Sequence, residues 1–170
     1  MKAASISLDQ AKSDKLFYFV ANVLIYRPED RRVLILKRSE REKAHPGKYA
    51  FPGGKLEWAD MDLEHPTRMN GDVIDFEGAV EDLLARESLE EAGVKIDVSN
   101  PLYLNSVAFV RPDGIPVILV KFAAPYVSGE VKVQEGDFTD FAWVNEAEVK
   151  EYDCIEGIDE EIRFFNEKHV

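Results

Sequence analysis

Three glutamates in the run RESLEEAGV, residues 86–94, have the types and spacing to do chemistry: Glu87, Glu90 and Glu91. On a helix, residues three and four apart share a face, so these carboxylates crowd together. Like charges so placed repel unless a cation sits among them. A hard cation that takes oxygen ligands, Mg2+ or alternatively Mn2+, suits the donor set. Upstream, Phe51-Pro52-Gly53-Gly54-Lys55-Leu56-Glu57 supplies a glycine-rich turn. The residues therefore predict a divalent-metal site on a helix that follows such a turn. Acidic faces on surface helices are common and usually just solvated, so the glutamates alone are weak evidence. Specificity comes from the conjunction of the turn, the Arg-Glu pair, the Glu-Glu pair and the closing glycine.

That conjunction resembles the Nudix box of the Nudix hydrolase family. The pattern is a glycine, a glutamate six positions on, then Arg-Glu, an apolar position, any residue, Glu-Glu, any residue, Gly and an apolar position. Gly54 fits the opening glycine, and Arg86, Glu87, Glu90, Glu91, Gly93 and Val94 fit the second half. Two positions depart from it. Asp60 stands at the first glutamate, and Ser88 stands at an apolar position. The family places its arginine eight residues after the first acid, whereas 26 residues separate Asp60 from Arg86. The excess of 18 reads as an insertion at about 61–78, on the Asp60 register. A second register takes Glu77 as the first acid; the run GGKLEWAD favours Asp60.

The resemblance implies an α/β fold, a Nudix-type α/β/α sandwich around a mixed β-sheet. It implies hydrolysis of a nucleoside diphosphate linked to another moiety. A nucleoside triphosphate leads, because the chain is short and has no extra recognition domain. Glu87, Glu90 and Glu91 become the metal ligands, with Glu87 and Glu91 the best pair and the Gly53 carbonyl a further ligand. Glu57 is peripheral. Arg86 supports the carboxylates, by pairing with Glu90 at i, i+4. In many members the general base lies in a loop before a strand bearing a tryptophan. Here that loop holds Glu135 and Asp137, ahead of Trp143, and Glu90 is the alternative base. Arg38, Lys48 and Lys55 flank the glycine turn as candidate phosphate contacts; each singly is also an ordinary soluble surface cation. Phe17, Tyr18 and Tyr49 are stacking candidates, though such rings are more often core. Two other functions share the fold. One is a nucleotide-binding or regulatory module without hydrolysis. The other is an isomerase of isoprenoid diphosphates, which needs a cysteine near the site, and Cys154 comes late.

Composition narrows the field. A chain of 170 residues fits one domain, 1–170, with a real core. The net charge of −12 argues against binding nucleic acid backbone, which needs clustered positive charge. A bound cation would still admit an anionic small substrate. A single cysteine forbids an intrachain disulfide and fits the cytoplasm. Residues 1–15 lack the apolar core of a signal peptide, and no apolar run reaches the ~20 residues needed to span a bilayer. The insertion is either a plain surface excursion or a lid or homodimer contact that shapes substrate choice.

The elements that would position these residues are legible in part. Residues 16–26 (LFYFVANVLIY) read as a buried strand paired with 32–38 across a turn, and 48–51 as a short strand. Residues 58–75 read as loop, and a helix runs from about Phe76 to Ala92, stopped by Gly93. Residues 102–110 and 117–124 pair around Arg111-Pro112-Asp113-Gly114. An edge strand is expected at 130–133 and a strand at 138–144. A short helix at 145–152 and an amphipathic helix carrying Ile158, Ile162 and Phe165 complete the chain.

Overall fold

The computed structural model describes residues 5–169; residues 1–4 and 170, the ends of the expected domain, lie outside the described residues. The apolar N-terminal run forms β1 (Tyr18–Tyr26) and the next forms β2 (Val33–Arg38). Two short strands follow, β3 (Tyr49–Ala50) and β4 (Gly53–Lys55). After a 3-10 turn at Trp58–Asp60 comes a small hairpin, β5 (Arg68–Asn70) and β6 (Val73–Asp75), and then α1 (Ala79–Ala92). The second half carries β7 (Lys95–Ile96), β8 (Leu102–Val110), β9 (Pro116–Ser128), β10 (Phe138–Val144) and α2 (Ile158–Lys168).

The main sheet runs β10-β2-β1-β9-β7, with β3 on β2, β4 on β1 and β8 on β9. β1 lies parallel to β9 over nine residue pairs, from Tyr18↔Val117 to Tyr26↔Pro125, while the other ladders are antiparallel. The sheet is therefore mixed. Alternate residues of a strand face opposite sides, and each side has a helix. Ala21, Val23 and Ile25 pack with Leu34, Leu36 and with Leu83, Leu84 and Ala92 of α1. Leu24, Val33 and Ile35 pack with Ile158, Ile162 and Phe165 of α2. This is the expected α/β/α sandwich.

Ser88, the polar residue at an apolar motif position, is fully buried on α1, and its hydroxyl donates to the Leu84 carbonyl at 2.7 Å. The hydroxyl is thus satisfied within the helix, and the small side chain fits where a large one would crowd the sheet. Ser88→Leu is expected to destabilise the fold by about 1–3 kcal/mol through overpacking, read as a lower urea midpoint.

Several elements differ from the sequence expectation. Residues 130–133 form no strand in the sheet. Their hydrogen bonds go to the open end of α1 instead: Lys132 N–H donates to the Ala92 carbonyl and Gln134 N–H to the Glu91 carbonyl, both at 2.9 Å. Helix C-terminal carbonyls lack partners of their own, and this segment supplies them. Residues 58–75 hold a 3-10 turn and the β5–β6 hairpin, where Gly71-Asp72 makes the turn. α1 starts at Ala79, after Gly78 at φ 75°. The segment after β10 is a 3-10 turn at Glu148–Glu151. Strands β4 and β7 were not anticipated. Among the described residues, no helix is long and apolar enough to cross a membrane.

Candidate active site

The site is assembled where α1 lies over the glycine turn. Within β4, Gly53 pairs with Asn22 and Gly54 with Ala21 of β1. A Cβ on Gly53 would overlap the Ala21 carbonyl and Asn22, and a Cβ on Gly54 would overlap the Glu87 carboxylate. Both glycines are therefore needed for close approach, Gly53 to a strand and Gly54 to a catalytic candidate. Gly54→Ala should push the Glu87 carboxylate out of its seat. Turnover is expected to fall at least tenfold, about 1.4 kcal/mol of barrier, with the circular dichroism spectrum unchanged; wild-type kinetics would show that the seat is irrelevant.

Glu91 is the centre of the arrangement. Gly53 N–H donates to its Oε2 at 2.9 Å. Burial pushes its carboxyl up to about 8, against the Gly53 hydrogen bond; Glu87 and Asp137 raise it further, while Arg38 lowers it. Glu87 is mostly covered and accepts from Arg86 at 3.0 Å. Glu90 is exposed. Among the described residues, no three acidic, histidine or cysteine side chains converge tightly enough to form a ready-made metal cage. Glu87 and Glu91 nonetheless fit a divalent cation. They are acidic groups of one helix in each other's field, both part-buried, with all-oxygen donors beside the Gly53 backbone.

Arg86 does not pair with Glu90 as the i, i+4 spacing suggested. Its guanidinium bridges Asp60 and Glu87. A residue 26 positions away competes successfully because the Trp58–Asp60 turn folds back onto α1. Asp60 also accepts from Glu57 N–H at 3.0 Å, and the two hydrogen bonds hold its carboxyl below the usual range. The other candidate first acid, Glu77, pairs with Arg68 at 2.6 Å instead. Glu57 is exposed and caps this turn.

The acidic turn is pinned beside Glu91 from two sides. Gln134 N–H holds the Glu91 carbonyl, and Ser39 N–H donates to the Asp137 carbonyl at 2.8 Å. Both of its acids are exposed, and the charge of Asp137 bears on Glu91. Arg38 also bears on Glu91, while its guanidinium is held by Glu42 at 2.6 Å and the Ala44 carbonyl at 2.8 Å. Lys48 reaches Asp153 at 2.6 Å, and Lys55 is exposed. Tyr49 is buried and donates to Asp140 at 3.0 Å, whereas Phe17 and Tyr18 are exposed. Cys154 is a free thiol that burial pushes up to about 11, a poor thiolate source.

The structure thus gathers Gly53, Glu87, Glu91, Asp137 and Arg38, and ties Arg86 behind them. Sequence reasoning gave Asp60 only a motif role and did not see it as the partner of Arg86. The 26-residue separation hid the pair, although the favoured register already named both ends.

A family model described as the NUDIX domain matches residues 18–163. No curated protein matches the chain. Among solved structures, a MutT protein from Methanosarcina mazei Go1 aligns with a TM-score of 0.63 at 22% identity, covering 94% of this chain and 100% of its own. The NUDIX domain of Shewanella oneidensis NrtR, complexed with ADP ribose, aligns at 0.65 and 16% identity, covering 96% of each. A C. elegans Ap4A hydrolase aligns at 0.58 and 14%, covering 88% of this chain and 96% of its own. These likenesses concern the fold.

Proposed function

The chain belongs to the NUDIX family, and from that premise we propose that it is a pyrophosphohydrolase that opens a diphosphate linkage in a nucleotide with the help of Mg2+, Mn2+ being the alternative. The observation that carries this reading is Glu91. A carboxylate held by the Gly53 N–H, beside the charges of Glu87 and Asp137, has more negative charge around it than Arg38 offsets. Such a site calls for a cation. Glu87, Glu91 and the Gly53 carbonyl are the residues that would hold it, with the exposed Glu90 at the rim. A bound divalent cation supplies neutralisation of phosphate charge and acidification of water.

The chain's own residues do the rest. Asp137 stands as the group that takes the proton of the attacking water, with Glu135 and Glu90 the alternatives. Arg38 offers positive charge to a phosphate on the same side. Lys55 is free to sweep toward a phosphate from the strand that carries Gly53, and Lys48 would have to leave Asp153 first. Arg86 acts through Glu87, fixing its carboxylate by way of Asp60. Residues 61–78 are read as an insertion in the box. A nucleoside triphosphate remains the leading substrate, and the cytoplasm the leading compartment.

One neighbour's NUDIX domain is complexed with ADP ribose, which keeps a second reading in view: a nucleotide-binding module without hydrolysis. One assay separates the two. Nucleoside triphosphates, dinucleotides and nucleotide sugars are incubated with Mg2+, and released phosphate and pyrophosphate are scored. Turnover that needs the cation is expected. Saturable nucleotide binding with no product from any of them would establish the binding module instead.

A further inference from the structure

The long edge strand β8 is unusually bare. It pairs with β9 on one side, and among the described residues no strand pairs with its other side. Every second residue of this nine-residue strand thus turns its backbone N–H and C=O away from β9. Its large exposed side chains are apolar: Tyr103 is 58% exposed, Val107 46%, Phe109 42% and Val110 69%. Further into the sheet, Ile118 beside Ala108 is also exposed, whereas Val117 beside Phe109 is buried. The described residues ahead of β1, 5–17, are all exposed.

Edge strands are normally guarded by a charge, a proline or extreme shortness. Here one bulge, between Tyr103 and Asn105, is the guard, and it leaves 105–110 regular. Residues 98–110 carry no charge at all, in a chain whose net charge is −12. That contrast selects the occupant. Two copies of so acidic a molecule repel over most approaches, but not along a charge-free strip. A basic partner would find its attraction elsewhere on the surface. An unpaired strand is also self-complementary when a second copy meets it antiparallel about a two-fold axis.

We propose that β8 is a homodimer interface, in which two copies join edge to edge through 105–110 and bury Val107, Phe109 and Val110 against each other. The proposal does not depend on the catalytic reading, because these residues lie outside the candidate site.

Sedimentation or light scattering from 1 to 100 µM tests it. The expected wild-type mass is twice 19.3 kDa. Val107→Lys and Val110→Lys each place a charge on the edge and should raise the dissociation constant at least tenfold. The second is the more exposed site and serves if the first fails to fold, with melting temperature as the check. Salt supplies another readout: the dimer should tighten as NaCl screens the repulsion between acidic copies. Amides of 105–110 should gain hydrogen-exchange protection with protein concentration. A monomer across the whole range would overturn the proposal. So would a dimer indifferent to both lysines, including one lost only when 61–78 is replaced by a short Gly-Ser link.

Discussion

Glu91→Gln is expected to lower turnover at least a hundredfold, about 2.7 kcal/mol of barrier, while making the metal-free protein more stable. Both effects come from one group. The amide still accepts from Gly53 N–H through its carbonyl oxygen, but it removes a carboxylate that burial and the charges of Glu87 and Asp137 disfavour. The stability effect has a definite pH signature. The carboxyl is raised from 4.5 to about 8. Its neutral form is therefore the one the fold prefers, and that contribution is complete below about 4.5 and lost as pH rises through about 8. Metal-free wild type should melt at progressively lower temperature from pH 5 to 8, and Glu91→Gln should show a shallower decline. Added Mg2+ should raise the wild-type melting temperature at pH 8, because a ligand that binds only the folded state stabilises it, and should leave the variant nearly unmoved. A variant with wild-type turnover, or one that responds fully to Mg2+, would remove Glu91 from the ligand set.

The second large effect is expected at the acidic turn. Asp137→Asn should lower kcat at least tenfold, about 1.4 kcal/mol, with a smaller change in the Michaelis constant, since the lost interaction belongs to the transition state. Glu135→Gln should do less, because Asp137 is among the charges that bear most on Glu91. The backbone bonds from Ser39 to Asp137 and from Gln134 to Glu91 pin the turn whichever acid is changed, so the fold should survive both. Steady-state kinetics on the two variants and on Glu90→Gln decides the matter. If only Glu90→Gln abolishes turnover, the base lies on α1 and the turn is a wall.

Much of this site was readable because its central helix is local. Residues 86–94 sit on consecutive turns, so spacing alone put Glu87 and Glu91 side by side and made Gly93 the stop, which it is at φ 71°. What local spacing could not deliver were choices between partners. Arg86 had Glu90 four residues ahead, yet it took Asp60 and Glu87, because the turn at Trp58–Asp60 returns to the helix. Lys48 looked like a phosphate contact from its place beside the glycine turn, but it pairs with Asp153, 105 residues away. The strand pattern of the core was legible for a related reason. Runs such as VLILKR are buried on both faces of the sheet and show it as continuous apolarity. Residues 130–133 alternate polar and apolar side chains as an edge strand would, but their backbone bonds the free carbonyls at the end of α1 and not a strand.

The parallel ladder between β1 and β9 has a consequence for how the molecule comes into being. Tyr18 and Val117 are partners 99 positions apart, and the whole of β1 lies between β9 and the strands on its other side. During synthesis the first strand must wait until about three quarters of the chain has been made before its central neighbour exists. Pairings of such long range are slow to form, and a waiting apolar strand is open to wrong partners. The run YFVANVLIY is thus the segment most in need of a chaperone on the nascent chain. Refolding from denaturant should be limited by this closure, so mutations in β1 or β9 should slow it more than mutations in the β5–β6 hairpin, whose strands meet across a two-residue turn.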